Sequence, residues 1–335
     1  MNKGTDSKKS NITVLLCLLV LSVTSLLLCT GIGTVDFSIS DILYALFRDG
    51  DTPAHLIIWE LRFPRLLCCG LVGICLSLSG CILQGVMRNT MASPSTIGVT
   101  AGASFVGYLT LVAFPTYAHL LPIGSIIGSF ATTILIYLLA YKNGVSPVKL
   151  ILSGMAVSAL FGAFNDSIRT MFSASLGNAS GFLVGGFNGC GWDSFRMMLP
   201  YALIGVGICL FLPQKMNILM LGDETALSLG LNTEPFRLLL IAVSSLLAGA
   251  SVATAGLLSF VGLVVPHIAR LLVGSDHRYL FPASSMLGFV MLVVCDTAGR
   301  VIIPPGEVPV SIILSLVGAP FFLWLLHRRE KGGGF

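Results

Sequence analysis

Ten apolar runs, nearly free of charge, set what this chain can become. They lie at about 12–30, 66–87, 95–114, 121–141, 150–172, 195–212, 238–257, 259–273, 280–297 and 308–326. A helix needs about 20 apolar residues to cross the hydrocarbon core of a bilayer, and most of these runs approach that length. Lipid offers the backbone no hydrogen bonds, so segments of this kind must satisfy their own N–H and C=O groups as helices. The expected fold is therefore all-α and integral to the membrane, with about ten transmembrane helices in one domain spanning 1–335.

Composition agrees. Hydrophobic residues make up 55% of the chain and charged residues 10%, whereas soluble domains carry roughly 25% charge. The start, Met1 to Lys9, is basic like a secretory signal, but the run after it is longer than a signal core of about 7–15 residues and no small-x-small cleavage site follows. It reads as a retained first helix after a tail of residues 1–11. With that tail in the cytoplasm, Lys3, Lys8, Lys9, Arg88, Lys142, Lys149, Lys215, Arg237, Arg270, Arg278, Arg328, Arg329 and Lys331 fall inside. Only Arg48, Arg62, Arg65, Arg169, Arg196 and Arg300 fall outside. The positive-inside tendency thus predicts that both termini, including the tail 327–335, are cytoplasmic.

The eighth run is too short to cross upright and carries Pro266. A short helix interrupted by proline at membrane depth persists only where protein or a water-lined path satisfies the freed backbone groups. Transporters use such broken helices, commonly within inverted repeats. A faint echo of that symmetry exists: Gly73, Gly80 and Gly85 in the second run, and Gly249, Gly256 and Gly262 from the seventh into the eighth. Chance spacing among 37 glycines explains the echo equally well.

Several chemistries are excluded. There is no G-x-x-x-x-G-K-[ST] phosphate loop, so a nucleotide that drives this chain must be bound elsewhere. The nine cysteines (Cys17, Cys29, Cys68, Cys69, Cys75, Cys81, Cys190, Cys209, Cys295) have no metal-ligand spacing, and no metal site is expected. All but Cys190 sit in apolar runs, where a thiol behaves as a small hydrophobe. No nucleophile–base set suggests catalysis, and no charged tail suggests nucleic acid.

Four segments hold the candidate working parts. The longest inside loop, 214–236, contains Leu221-Gly-Asp-Glu-Thr-Ala-Leu-Ser-Leu-Gly-Leu231. Asp223 and Glu224 complement the dipole of a helix start, and Gly230 stops it, which predicts a short helix exposed to the cytoplasm: either a docking element or a solvated connector. Outer arginines occur in Glu60-Leu-Arg-Phe-Pro-Arg65 and Asp296-Thr-Ala-Gly-Arg300. They are partners for carboxylates or anchors at the lipid interface. The inner end of the second run reads Gln84-Gly-Val-Met-Arg-Asn-Thr-Met-Ala-Ser-Pro94. The fifth run holds Asn165, Asp166 and Arg169, a transport-path cluster or a local pair near the outer end. His267, after Pro266, is read as a packed, hydrogen-bonded residue in preference to a proton relay or metal ligand.

These segments resemble one family. "GLVVPHIAR" at 262–270 followed by "DHR" at 276–278, together with "LGDETALSLG" at 221–230, resembles the FecCD-type permeases of ATP-binding-cassette importers for iron siderophores, haem and vitamin B12. The likeness covers about 55–327. It implies a subunit of a multi-pass protein in the bacterial cytoplasmic membrane, itself without cofactor or catalysis, with ATP and Mg on two copies of a partner ATPase. It further implies an extracytoplasmic solute-binding protein and a second permease copy, as homodimer or close heterodimer, importing a metal chelate with ferric siderophore foremost. By the same resemblance, Leu221, Gly222, Asp223, Glu224, Ala226, Leu227, Leu229, Gly230 and Leu231 would contact the ATPase. Arg62, Arg65 and Arg300 would dock the binding protein. Asn89 and Met91, with Ser146 and Pro147, would form the cytoplasmic gate, although Thr90 and Met91 replace the family's usual proline and leucine. The alternative is a secondary transporter driven by an ion gradient. It calls for ionisable pairs at mid-membrane, whereas the charges here gather at the ends of the runs.

Overall fold

A computed structural model describes residues 3–33, 35–47, 52–141, 147–176, 182, 184–303 and 306–331. Among these described residues thirteen helices are numbered in chain order: α1 (Lys3–Gly31), α2 (Ile39–Phe47), α3 (Pro53–Val86), α4 (Val99–Ala113), α5 (Leu121–Ala140), α6 (Pro147–Met171), α7 (Trp192–Phe211), α8 (Pro213–Met220), α9 (Asp223–Ser228), α10 (Thr233–Ala255), α11 (Val261–Val273), α12 (His277–Val301) and α13 (Val310–Lys331). Two turn-length pieces, Ala118–Leu120 and Ser173–Leu176, stay unnumbered. Every apolar run coincides with a helix, and no β-strand occurs among the described residues. Seven helices are long and apolar enough to cross a membrane, while α4, α11 and the Val310–Trp324 stretch of α13 are shorter apolar helices.

Boundaries differ most from expectation where charge marks an end. Helix α3 begins at Pro53, well before residue 66, and includes a π-helical stretch at Leu56–Arg62. Glu60, Arg62 and Arg65 interrupt the apolar pattern without interrupting the helix. The expected tail 1–11 is largely helical, since α1 starts at Lys3. The C-terminal tail likewise continues α13 to Lys331. Residues 214–236 form a hairpin of α8 and α9 leading into α10, in place of an open loop.

Helix α3 lies at the centre, packed by α12, α10, α11 and α7. Two of its glycines allow backbones to touch. A Cβ on Gly73 would lie 2.1 Å from Gly288 O, and one on Gly80 would lie 1.9 Å from Gly262 O. Small residues at crossings are how helices associate in lipid, where burial of apolar surface gives no advantage over lipid contact. Hydroxyls add polar contacts at the same depth. Ser79 Oγ lies 2.7 Å from Ser244 Oγ on α10, and Ser129 Oγ on α5 donates to Ser245 O at 2.6 Å. Gly80 and Gly262, members of the two halves of the glycine echo, close on each other; contact between α3 and α11 accounts for both.

The eighth element differs instructively from expectation. Pro266 lies inside α11, and the helix runs unbroken through it. The non-helical stretch comes earlier, at 256–260, between α10 and α11. Proline at 266 has no N–H to give Gly262 O and crowds the carbonyls one turn back. Gln84 Nε2 on α3 supplies the missing donor, to Gly262 O at 3.4 Å and Leu263 O at 3.2 Å. The break is healed by a neighbour.

Candidate functional site at the two ends of the bundle

Chain direction defines two ends. At one, α1 stops, α3, α7 and α13 start, and Arg62, Arg65 and Arg300 gather. At the other, α3 stops and the α8–α9 hairpin projects.

The arginine end is a closed network. Arg62 Nη1 donates to Thr30 O at 3.1 Å and Gly31 O at 3.2 Å, and its Nη2 donates to Val35 O at 2.7 Å. Its guanidinium lies 5.1 Å from the Phe37 ring centroid. Arg300 Nη2 donates to Cys29 O at 3.1 Å and Thr297 Oγ1 at 3.0 Å. The last carbonyls of a helix have no partner of their own, and cations near a C-terminus also complement its dipole. Arg62 and Arg300 therefore cap α1, and both are buried. Arg65 grips Asp296 through Nε and Nη2, at 3.0 and 2.8 Å, while its Nη1 reaches Glu307 at 2.9 Å. Asp296 is buried and sits 3.3 Å from Arg300 Nε as well. This corrects the expectation that all three arginines project outward for a partner. Only Arg65 and Glu307 keep part of their surface open, because the helix end and the buried carboxylate claim the other two arginines. A cavity of about 480 Å³ lies against this network, lined by Glu60, Arg62, Arg65, Cys190, Arg300 and Glu307 among others. Beside it Trp59, Phe63 and Trp192 cluster, with Trp59 and Trp192 centroids 5.0 Å apart.

At the hairpin end the short helix forms as the acidic and glycine signals predicted. Gly222 enters α9 at φ 113° and Gly230 leaves it at φ 81°. The Leu231 N–H bonds to Ala226 O at 2.9 Å and the Gly230 N–H to Leu227 O at 2.9 Å, the paired closure of a Schellman motif in which glycine takes the left-handed position. Ala226 is buried and fixes the helix to its base, while Leu221, Leu227 and Leu229 are 61%, 56% and 58% exposed. Glu224 points to solvent. Asn217 pins α8 to the start of α12, donating to Asp276 Oδ1 at 2.7 Å and accepting from the His277 N–H at 3.0 Å. Burial raises the Asp276 carboxyl, but the Arg278 N–H and the Asn217 amide outweigh it and hold the pKa below the usual carboxylate range.

The expected gate segment follows α3 at this end. Asn89 Oδ1 accepts from the Met91 N–H at 2.9 Å, a side-chain turn that fixes Met91 in a half-buried position. Ser146 lies outside the described residues, and Pro147 begins α6. On α6, Asn165 turns inward and donates to Ala101 O at 3.2 Å, with its Oδ1 buried. Asp166 is 79% exposed and lies 3.9 Å from Arg169. The structure brings only these two together, because the Asn165 side chain is taken by the backbone of α4. His267 packs edge-on against Phe321, ring centroids 6.3 Å apart. Cys190 donates from Sγ to Thr254 O at 3.6 Å, and all nine cysteines are unpaired.

Sequence reading gave no role to three residues that organise these ends: Gln84, Arg237 and Asp296. Each is a polar group inside or against an apolar run, which is the available signal, since such groups survive in lipid only with partners.

The geometry is that of a bundle with several helices long and apolar enough to cross a membrane, and comparison with known proteins gives the lineage. Residues 17–328 match the FecCD transport family. The chain belongs to the FecCD transport family. The ferric-citrate import permease YfmE of Bacillus subtilis is 35% identical over 332 residues, covering 99% of each chain. The cobalamin import permease BtuC of Halobacterium salinarum is 38% identical over 279 residues, covering 83% of this chain and 75% of the relative. Among solved structures, an inward-facing metal-chelate type ABC transporter superposes with a TM-score of 0.84 at 31% identity, covering 95% of this chain and 99% of that one. This FecCD protein is thus a multi-pass membrane permease of the ABC-importer kind.

Proposed function

We propose that this permease is the membrane-spanning subunit of a binding-protein-dependent importer of metal chelates, with ferric siderophores as the principal cargo. The names of its relatives support that cargo class: one carries ferric citrate and another cobalamin. Two ATPase subunits engage the hairpin end in the cytoplasm. The loaded binding protein seats on the arginine end outside, and a second permease copy completes the path. The positive-inside tendency supports this orientation, with both termini in the cytoplasm. On the outer surface Glu307 and the partly open Arg65 meet the binding protein, while Arg62 and Arg300 hold the shape of the mouth. Met91 plugs the inner end of the path opposite its copy, and the Asp166–Arg169 face of α6 turns toward the path or the second copy.

The observation that carries this reading is the leucine knob on α9. Three exposed leucines on and beside a six-residue helix, with glycine turns at both ends and a buried Ala226 beneath, form an apolar projection that suits a cleft in a soluble partner. Fully burying one leucine is worth about 1.5–3 kcal/mol, so a half-exposed pair supplies roughly that much. Replacing Leu227 and Leu229 by aspartate is expected to abolish co-purification with the ATPase while the permease still folds in the membrane. Co-purification at the parental level would remove the knob from the interface.

A further inference from the structure

Arg88 closes α3 with φ at 46°, a left-handed conformation shared among the described non-glycine residues only by Phe260. Its N–H bonds to Gly85 O at 3.2 Å, and the Asn89 N–H bonds to Gln84 O at 3.1 Å. This is again a Schellman closure, and glycine is the usual occupant of the position Arg88 fills. A strained residue of this kind persists where its surroundings over-determine it, and such residues cluster at switching regions. The surroundings of Arg88 belong to the hairpin. Its Nη2 donates to Leu219 O at 3.1 Å, at the end of α8, and to the Asp223 carboxylate, in the first turn of α9. The same carboxylate accepts from Arg237 Nη2 at 3.0 and 3.2 Å. Arg237 is buried at the foot of α10, where its Nη1 also holds Glu234 at 3.2 Å. Tyr137 of α5 donates to Glu234 at 3.0 Å.

We infer that Arg88 and Asp223 are positioning residues for transport, forming the link by which a displacement of α9 moves the Asn89–Met91 turn. The inference rests on the reading of α9 as the ATPase contact. One carboxylate is shared by two arginines, one adjoining the gate turn and the other rooted in the bundle. Arg237 fixes Asp223 to α10, and Arg88 transfers the position of that carboxylate to the turn one residue away. A solvent-exposed ion pair transmits little, because water weakens it. Asp223, however, opens the helix that carries the knob and lies close in the chain to exposed Leu221 and Leu227. A partner seated there sheds water from the pair and strengthens it. The link is therefore weak in the free permease and firm once the ATPase is bound.

The test uses the full permease with its ATPase and binding protein in proteoliposomes, in the parent and in Arg88→Gly and Arg88→Lys variants, each also carrying Met91→Cys. Glycine suits the left-handed backbone, so Arg88→Gly removes the side chain without adding strain to the turn. Two readouts are taken: uptake of ferric siderophore per ATP hydrolysed, and the nucleotide-dependent change in cross-linking between the thiols introduced at position 91 of the two permease copies. Arg88→Gly is expected to lower uptake per ATP by about tenfold, within the usual range for coupling between sites, and to leave the cross-link yield indifferent to nucleotide. Arg88→Lys, which keeps the charge, is expected to restore a substantial part of both. Arg88→Gly that couples and cross-links like the parent overturns the inference and leaves the importer reading intact. A parent complex that shows no ATP-dependent uptake overturns both.

Discussion

Replacing Gln84 by methionine isolates the repair of the proline break in α11. Methionine fills nearly the same volume but cannot donate, so Gly262 O and Leu263 O lose the Nε2 bonds of 3.4 and 3.2 Å. Side-chain hydrogen bonds in membrane proteins average about 0.6 kcal/mol each and reach about 1.7. Two lost acceptor partners therefore predict a destabilisation of about 1–3 kcal/mol. Pro266→Ala restores an N–H aimed at Gly262 O, so the same Gln84→Met change is expected to be milder in that background. The bond from Arg270 Nη2 to Gln84 Oε1, 3.0 Å long, is lost in both backgrounds and cancels. Equilibrium unfolding in mixed micelles with increasing SDS, followed by circular dichroism, measures the four stabilities of the double-mutant cycle. A coupling energy of about 0.5–1.5 kcal/mol is expected, positive in the sense that Pro266→Ala relieves the loss. Additive effects within about 0.3 kcal/mol would refute the claim that Gln84 stands in for the missing amide.

Two further predictions concern packing and the arginine end. Gly80→Val should prevent assembly of the native bundle or displace α11, because even a Cβ at this position meets Gly262 O at 1.9 Å; limited proteolysis of the membrane-inserted protein checks this, and native-like resistance would contradict it. Asp296→Asn should destabilise the protein by about 3–5 kcal/mol, since it strips the shared counter-charge from partly buried Arg65 and buried Arg300 and an uncompensated buried charge is costly; SDS unfolding at an unchanged midpoint would show that the network is dispensable.

Apolar length and the scarcity of charge were enough to locate the seven helices that, among the described residues, are long and apolar enough to cross a membrane, because lipid leaves the backbone no other solution. Asp223, Glu224 and Gly230 likewise revealed α9, since helix-end chemistry is local. What stayed hidden were pairings between distant segments. Arg62 and Arg300 read as surface groups because nothing in their own segments shows that α1 ends beside them with open carbonyls. Pro266 read as a break because its replacement donor, Gln84, lies far away in sequence. Arg88 looked like one more inside cation until the hairpin was folded against it. Ends of elements depend on neighbours; their existence does not.

Uptake of labelled ferric siderophore into proteoliposomes tests the central claim most directly. With the ATPase present, ATP inside and the loaded binding protein outside, the chelate is expected to accumulate against its gradient, and omission of any one of the three should stop it. Accumulation by this chain alone, driven by an imposed proton or sodium gradient without ATP, would contradict the account and make the protein a secondary transporter.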